Sequence, residues 1–165
     1  MKELYELLLA RNYTIASCES LTGGLFTARM TEVPHVSQVL KGGICSYWNE
    51  IKENVVGVKR ETIDSVGVVS KETAYEMALN VQKKFNVNVA VSFTGNAGPS
   101  TMEDKPAGLV YTCIIINDEV HELICVLNIL GILMNNHCIH EIVCTFCWCP
   151  IIHVFIFAHD ISSIT

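Results

Sequence analysis

The chain has 165 residues, half of them hydrophobic, and a formal net charge of -6 at pH 7. That length suits one domain with a full core, and the acidic balance argues against a nucleic-acid-binding footprint. Cys18, Cys45 and Cys113 are few over the first 120 residues, which favours reduced thiols and a cytoplasmic setting.

In chain order, the pattern predicts a helix over 2–11, where charged and apolar residues alternate as in an amphipathic helix and not as in a signal peptide. A strand over 13–17 follows, then the stretch Cys18-Glu19-Ser20-Leu21-Thr22-Gly23-Gly24, then a helix over 23–31. A strand, a small polar loop and a helix start leave backbone N–H groups beside the positive end of a helix dipole. Such a place suits a phosphate, a carboxylate or a developing oxyanion, and a hydroxyl there serves as nucleophile if a base is within reach. The plainer alternative is that Ser20 and Thr22 cap the helix and the glycines turn the chain.

A short helix near 36–41 and a strand over 43–48 come next, with Asn49 as N-cap of a helix over 50–56. Lys52 then sits in the first turn of that helix, beside the strand end that carries Tyr47. An unfavourable dipole and partial desolvation both push a lysine there below its ordinary pKa, toward a neutral amine able to act as a base. The alternative is a solvated Lys52 and a core Tyr47. A long helix capped by Ser70 runs to about Phe85, and a strand over 87–93 feeds a Gly/Pro loop from Thr94 to Gly108. Ligands bind at the carboxyl ends of strands in open α/β sheets, although the glycine spacing of this loop fits neither a P-loop nor a dinucleotide fingerprint. Strands over 108–116 and 119–125 close a hairpin across Asn117-Asp118. The order predicts an α/β three-layer sandwich, with a mixed sheet covered by helices on both faces.

Taken together, five motifs resemble the C-terminal domain of the CinA (competence/damage-inducible) proteins, also found as a stand-alone nicotinamide mononucleotide deamidase. They are Glu19-Ser20 with Thr22-Gly23-Gly24; Gly42-Gly43-Ile44 with Tyr47, Asn49 and Lys52; Gly67-Val68-Val69-Ser70; Thr94-Gly95 with Ala97-Gly98-Pro99; and Lys105-Pro106 with Gly108. The resemblance runs from about residue 5 to residue 125. It implies a serine/lysine amidohydrolase that converts nicotinamide mononucleotide to nicotinate mononucleotide and ammonia, without a cofactor or metal. By motif position it makes Ser20 the nucleophile, Lys52 its base and Tyr47 a positioning or proton-shuttling group. It assigns Thr22, Gly23, Gly24, Thr94, Gly95 and Gly98 to loops that donate backbone N–H groups to the oxyanion or the phosphate. The implied partner is a small nucleotide, with no nucleic acid or membrane, and the implied assembly a homo-oligomer. Leu21 stands where relatives have cysteine, Cys18 where they have a small residue, and Ser100-Thr101 where they often have glycines.

Composition breaks near Cys125, which divides the chain into a domain over 1–125 and an aberrant tail over 126–165. All 11 Lys and Arg residues fall at or before Lys105, whereas five of the eight cysteines lie from Cys125 onward. Related domains continue into a G-x-R segment and an amphipathic helix, and the tail resembles neither. The favoured account is a shifted reading frame; coding DNA whose other frames lack both parts would exclude it. A competing account is a zinc-binding tail built from His137, His140, Cys144, Cys147 and Cys149. Val143 to Ala158 carries no Lys, Arg, Asp or Glu over its 16 positions, yet it contains Pro150 and His153 and is short of the roughly 20 residues that span a bilayer. A catalytically impaired nucleotide-binding remnant is the alternative function, since the relatives' arginine, held to contact substrate, has no counterpart in the tail.

Overall fold

The structure is a computed structural model that describes residues 1–126. The expectations placed on residues 127–165, a shifted frame, a zinc-binding tail and a charge-free segment, lie outside the described residues. Helix α1 (Lys2–Ala10) leads into β1 (Ile15–Glu19), α2 (Leu25–Thr31) and, after a 3-10 turn at Val36–Gln38, β2 (Leu40–Cys45). Next come α3 (Asn49–Ile51), a π turn over Lys52–Val56, α4 (Arg60–Val66) and α5 (Lys71–Phe85). Strands β3 (Val89–Gly95), β4 (Leu109–Ile116) and β5 (Glu119–Val126) complete the described chain. The five strands form one mixed sheet in the order β2-β1-β3-β4-β5. β1 runs parallel to β2 and to β3, and the β3–β4–β5 pairings are antiparallel.

Alternation along the strands divides the core between the two faces. Ile15, Val89, Val91, Phe93 and Ile114 meet Leu4 and Leu8 of α1 and Phe26 and Met30 of α2. Ala16, Cys18 and Ala90 meet Met77 and Val81 of α5, while Cys113 and Ile115 meet Ala74 and Ala78. The sheet is therefore covered on both sides, as the three-layer reading requires. Ser70 caps α5, its side chain accepting from the Thr73 N–H, and the expected boundary holds there. α4 is an element that the pattern did not reveal. Among the described residues no helix is long and apolar enough to cross a membrane.

Strand β2 begins and ends three residues earlier than expected. The expected strand leaves Gly42 outside and starts at Gly43, yet both glycines lie well inside β2, because close packing there leaves no room for a side chain. A Cβ on Gly43 would run into the hydroxyls of Ser17 and Thr27, and one on Gly42 would press the Phe85 ring. Ser46, Tyr47 and Trp48 consequently form a loop beyond the strand end. Tyr47 and Trp48 are then among the most exposed large hydrophobic residues, at 66% and 72%, so Tyr47 is not a core aromatic. The helix cap also moves by one residue: Trp48 is the N-cap and Asn49 the first helical position.

Candidate active site

The connection β1–α2–β2 covers one face of the sheet and α5, between β2 and β3, covers the other. With β2 on one side of β1 and β3 on the other, the strand order reverses at β1, and the strand ends there leave a crevice of the kind that binds ligands in open α/β sheets. A cleft of about 460 Å³ occupies this position. Ser20, one residue past β1, forms its floor; Tyr47, Trp48, Asn49 and Glu50 come from the segment after β2; Gly95 to Gly98, Ser100 and Met102 come from the loop after β3.

Beneath the floor lies Lys52, only 1% exposed. Its Nζ donates to Ser20 Oγ at 2.9 Å, to the Ser46 carbonyl at 2.7 Å and, more weakly, to the Tyr47 carbonyl at 3.4 Å. No carboxylate is among these partners, and burial lowers the lysine pKa from 10.5 to about 8, against the smaller opposing influence of Cys18, Cys45 and Glu103. Desolvation is thus the cause that acts here; α3 is a single turn. The backbone that carries Lys52 is irregular as well. The Lys52 and Ile51 N–H groups both donate to the Trp48 carbonyl, and the helix then widens into the π turn that Gly57 closes in the left-handed region. Single π turns inside helices recur at functional sites. Burial also pushes the neighbouring Cys18 thiol up to about 11, which keeps it protonated and unreactive at neutral pH.

The structure brings Ser20, Lys52, Tyr47, Gly95 and Gly98 together, and it places Thr22, Gly23, Gly24 and Thr94 off the cleft wall. Thr94 is buried on the α5 face, where its hydroxyl donates to the Val68 carbonyl. Thr22 is buried beneath the first turn, with its hydroxyl donating to Glu19 Oε2 at 2.8 Å. The Gly23 N–H donates to the Ser20 carbonyl. What Tyr47 offers Lys52 is a backbone carbonyl, while its side chain lines the cleft.

Glu19, quoted above only as part of a motif, organises this corner. Its side chain is buried, and it accepts from the hydroxyls of Ser17, Thr22 and Thr27 and from the backbone N–H groups of Phe26 and Thr27. Five donors around one carboxylate match a group that only accepts. The N-terminus of α2 is therefore filled by the chain's own anion. The signal was available in sequence: Ser17 and Glu19 share the face of β1 that Ile15 buries, and polar residues on a buried face need partners. Glu19→Ala leaves those donors without their acceptor in a closed space, and we expect a loss of about 3 kcal/mol or more of unfolding free energy. Urea denaturation measures this, and a loss under about 1 kcal/mol would contradict the anchoring role.

The far wall of the cleft is tied down by a second carboxylate. Glu103 accepts from the Val68 N–H at 2.6 Å, the Val69 N–H at 3.2 Å and Lys105 Nζ at 2.9 Å, and Lys105 also donates to the carbonyls of Val66 and Val69. These bonds from its partners hold the Glu103 carboxyl below the ordinary range in spite of partial burial. Gly67 makes room for this clamp, since any Cβ there would collide with the Glu103 carboxylate. Asn96 braces the loop from inside by donating to the Met102 and Lys105 carbonyls. Among the described residues, no group of three or more His, Cys, Asp and Glu side chains is placed to hold a metal ion.

Comparison with known proteins agrees with the motifs. A putative competence-damage inducible protein of Thermoanaerobacter sp. is 46% identical over 123 residues, which are 73% of this chain and 30% of that protein. The corresponding protein of Bacillus subtilis is 44% identical over 124 residues, 74% of this chain and again 30% of that protein. The chain thus spans about 30% of the length of these relatives. The crystal structure of the competence/damage inducible protein CihA from Agrobacterium tumefaciens is 32% identical, with a TM-score of 0.70, covering 75% of this chain and 81% of that one. A competence or damage-inducible protein from Enterobacter asburiae shares the fold at a TM-score of 0.78 and 21% identity, over 99% of this chain and 95% of that one. Residues 1–130 match the CinA C-terminal domain, and the chain belongs to that family.

Proposed function

We propose that this domain is an amidohydrolase that deamidates nicotinamide mononucleotide by a Ser20/Lys52 mechanism. One observation carries the reading: a buried lysine without a carboxylate partner donates at 2.9 Å to a serine hydroxyl on the floor of a cleft. With two carbonyls taking two of its N–H bonds, a neutral Lys52 has its lone pair left for Ser20, and the hydrogen bond then reverses so that the hydroxyl donates. A serine activated in this way needs no histidine.

In the proposed reaction, Ser20 Oγ attacks the carboxamide carbon while Lys52 Nζ takes the hydroxyl proton. The tetrahedral oxyanion is held by backbone donors of the Gly95–Gly98 wall. Lys52 returns the proton to the amide nitrogen, the C–N bond breaks, and ammonia leaves a Ser20 acyl ester. Water then attacks that ester, again with Lys52 as base, and releases nicotinate mononucleotide. The exposed Tyr47 phenol at the cleft mouth orients the amide or relays a proton.

A second reading, a binding remnant without turnover, rests on a different observation: among the described residues no Lys or Arg side chain lines the cleft to pair with a phosphate. Ammonia release from nicotinamide mononucleotide, measured for this chain and for Ser20→Ala, separates the two. Turnover that depends on Ser20 supports the amidohydrolase; binding without turnover in the parent supports the remnant.

A further inference from the structure

Trp48 has no part in the mechanism above and lies between the motif positions Tyr47 and Asn49. Its side chain is 72% exposed although indole is among the largest apolar groups. The backbone beneath it is nevertheless fixed, since the Trp48 carbonyl accepts from the Ile51 N–H at 3.1 Å and the Lys52 N–H at 3.2 Å. The turn that delivers the base therefore also mounts the indole on the cleft wall. Tyr47 adds a second exposed ring and Glu50 a carboxylate on that wall, and Met102 supplies an apolar, polarizable group from the opposite loop. Two π faces and one negative charge, with no cationic side chain among the described residues that line the cleft, make a wall that attracts positive charge on a flat ring.

We infer that Trp48, together with Tyr47 and Glu50, reads the positive charge of an N-substituted pyridinium ring, so that the cleft selects cationic pyridine carboxamides over neutral ones of the same shape. This rests on the amidohydrolase reading and deepens it by naming what distinguishes its substrate class. Wall residues that attract a ring cation also account for a nucleotide substrate in a cleft whose described lining has no basic side chain. The ring, and not the phosphate, then supplies the dominant attraction from this part of the chain.

The test uses the full chain with Ser20→Ala, which binds without turnover. Isothermal titration calorimetry compares nicotinamide mononucleotide with its reduced dihydropyridine form, which keeps the ribose, phosphate and carboxamide but has a neutral ring. The expected result is tighter binding of the oxidised form by roughly tenfold, within the range of a desolvated cation–π contact. Adding Trp48→Ala should bring the two affinities within about twofold of each other, and Trp48→Phe should retain part of the preference. Equal affinities in the Ser20→Ala chain, or a preference unchanged by Trp48→Ala, overturn the inference. A Trp48→Ala chain that weakens both ligands equally and changes its mass by sedimentation places the indole at an interface between copies, and overturns it as well. Ammonia release by the parent with equal affinities sinks this inference alone. Preference for the cation with no ammonia release sinks the amidohydrolase reading alone, and binding of neither form sinks both.

Discussion

Ser20→Ala is expected to lower the turnover number for ammonia release from nicotinamide mononucleotide by roughly 10³-fold or more, the scale seen when a covalent nucleophile is removed. The fold should survive. Lys52 keeps the Ser46 and Tyr47 carbonyls as acceptors when the hydroxyl is gone, and the space left behind is one oxygen atom at the edge of an open cleft. Unfolding in urea should therefore shift by less than about 1 kcal/mol. Loss of turnover with an unchanged transition assigns the hydroxyl to chemistry. Turnover that persists within tenfold would remove Ser20 from the mechanism, and a collapsed transition would make the loss of activity uninformative about its role.

The second large effect concerns pH. Lys52 acts as base only when neutral, and with a pKa of about 8 roughly a tenth of it is neutral at pH 7. The ratio kcat/KM should rise about tenfold from pH 7 to a plateau above pH 9. Lys52→Met should abolish the rate, and Lys52→Arg should do the same because a guanidinium stays protonated. Stability moves in a defined direction as well. The folded pKa lies below the unfolded value of 10.5, so the unfolded chain binds more protons between about pH 8 and 10.5. Stability attributable to this group rises with pH through that window, by about 3 kcal/mol at most, and its burial is fully unfavourable below pH 8. Lys52→Met should erase this rise in denaturation midpoints measured from pH 7 to 10. A flat pH–rate profile in the parent would show that another group is the base.

Much of this arrangement was legible in the residues. Strand–loop–helix at Ile15 to Leu25, the Ser70 cap and the Asn117-Asp118 hairpin follow from apolar runs bounded by turn and cap residues, and the structure has each of them. The shifted start of β2 was not legible, since glycine lowers strand propensity while close packing against Ser17, Thr27 and Phe85 demands it. That shift alone moved Tyr47 and Trp48 from an expected buried strand to the cleft rim. Lys52 shows the opposite case. Spacing placed it near a strand end, but only the three-dimensional path of the π turn shows its amine enclosed beneath Ser20. Glu19 was visible as a motif residue and opaque as an anchor, because its donors come from both sides of a turn and from the helix beyond it.

That anchor has a consequence for how the fold can evolve. In many α/β proteins the first βα turn is a vacant socket, free to take whichever phosphate a lineage comes to use. Here the socket is occupied by a tethered guest. Glu19 is covalently linked to the donors it satisfies, so it meets them as an intramolecular partner, which a dissolved anion would have to displace. In this chain a new ligand preference would therefore have to come from the loops after β2 and β3, since this corner is sealed.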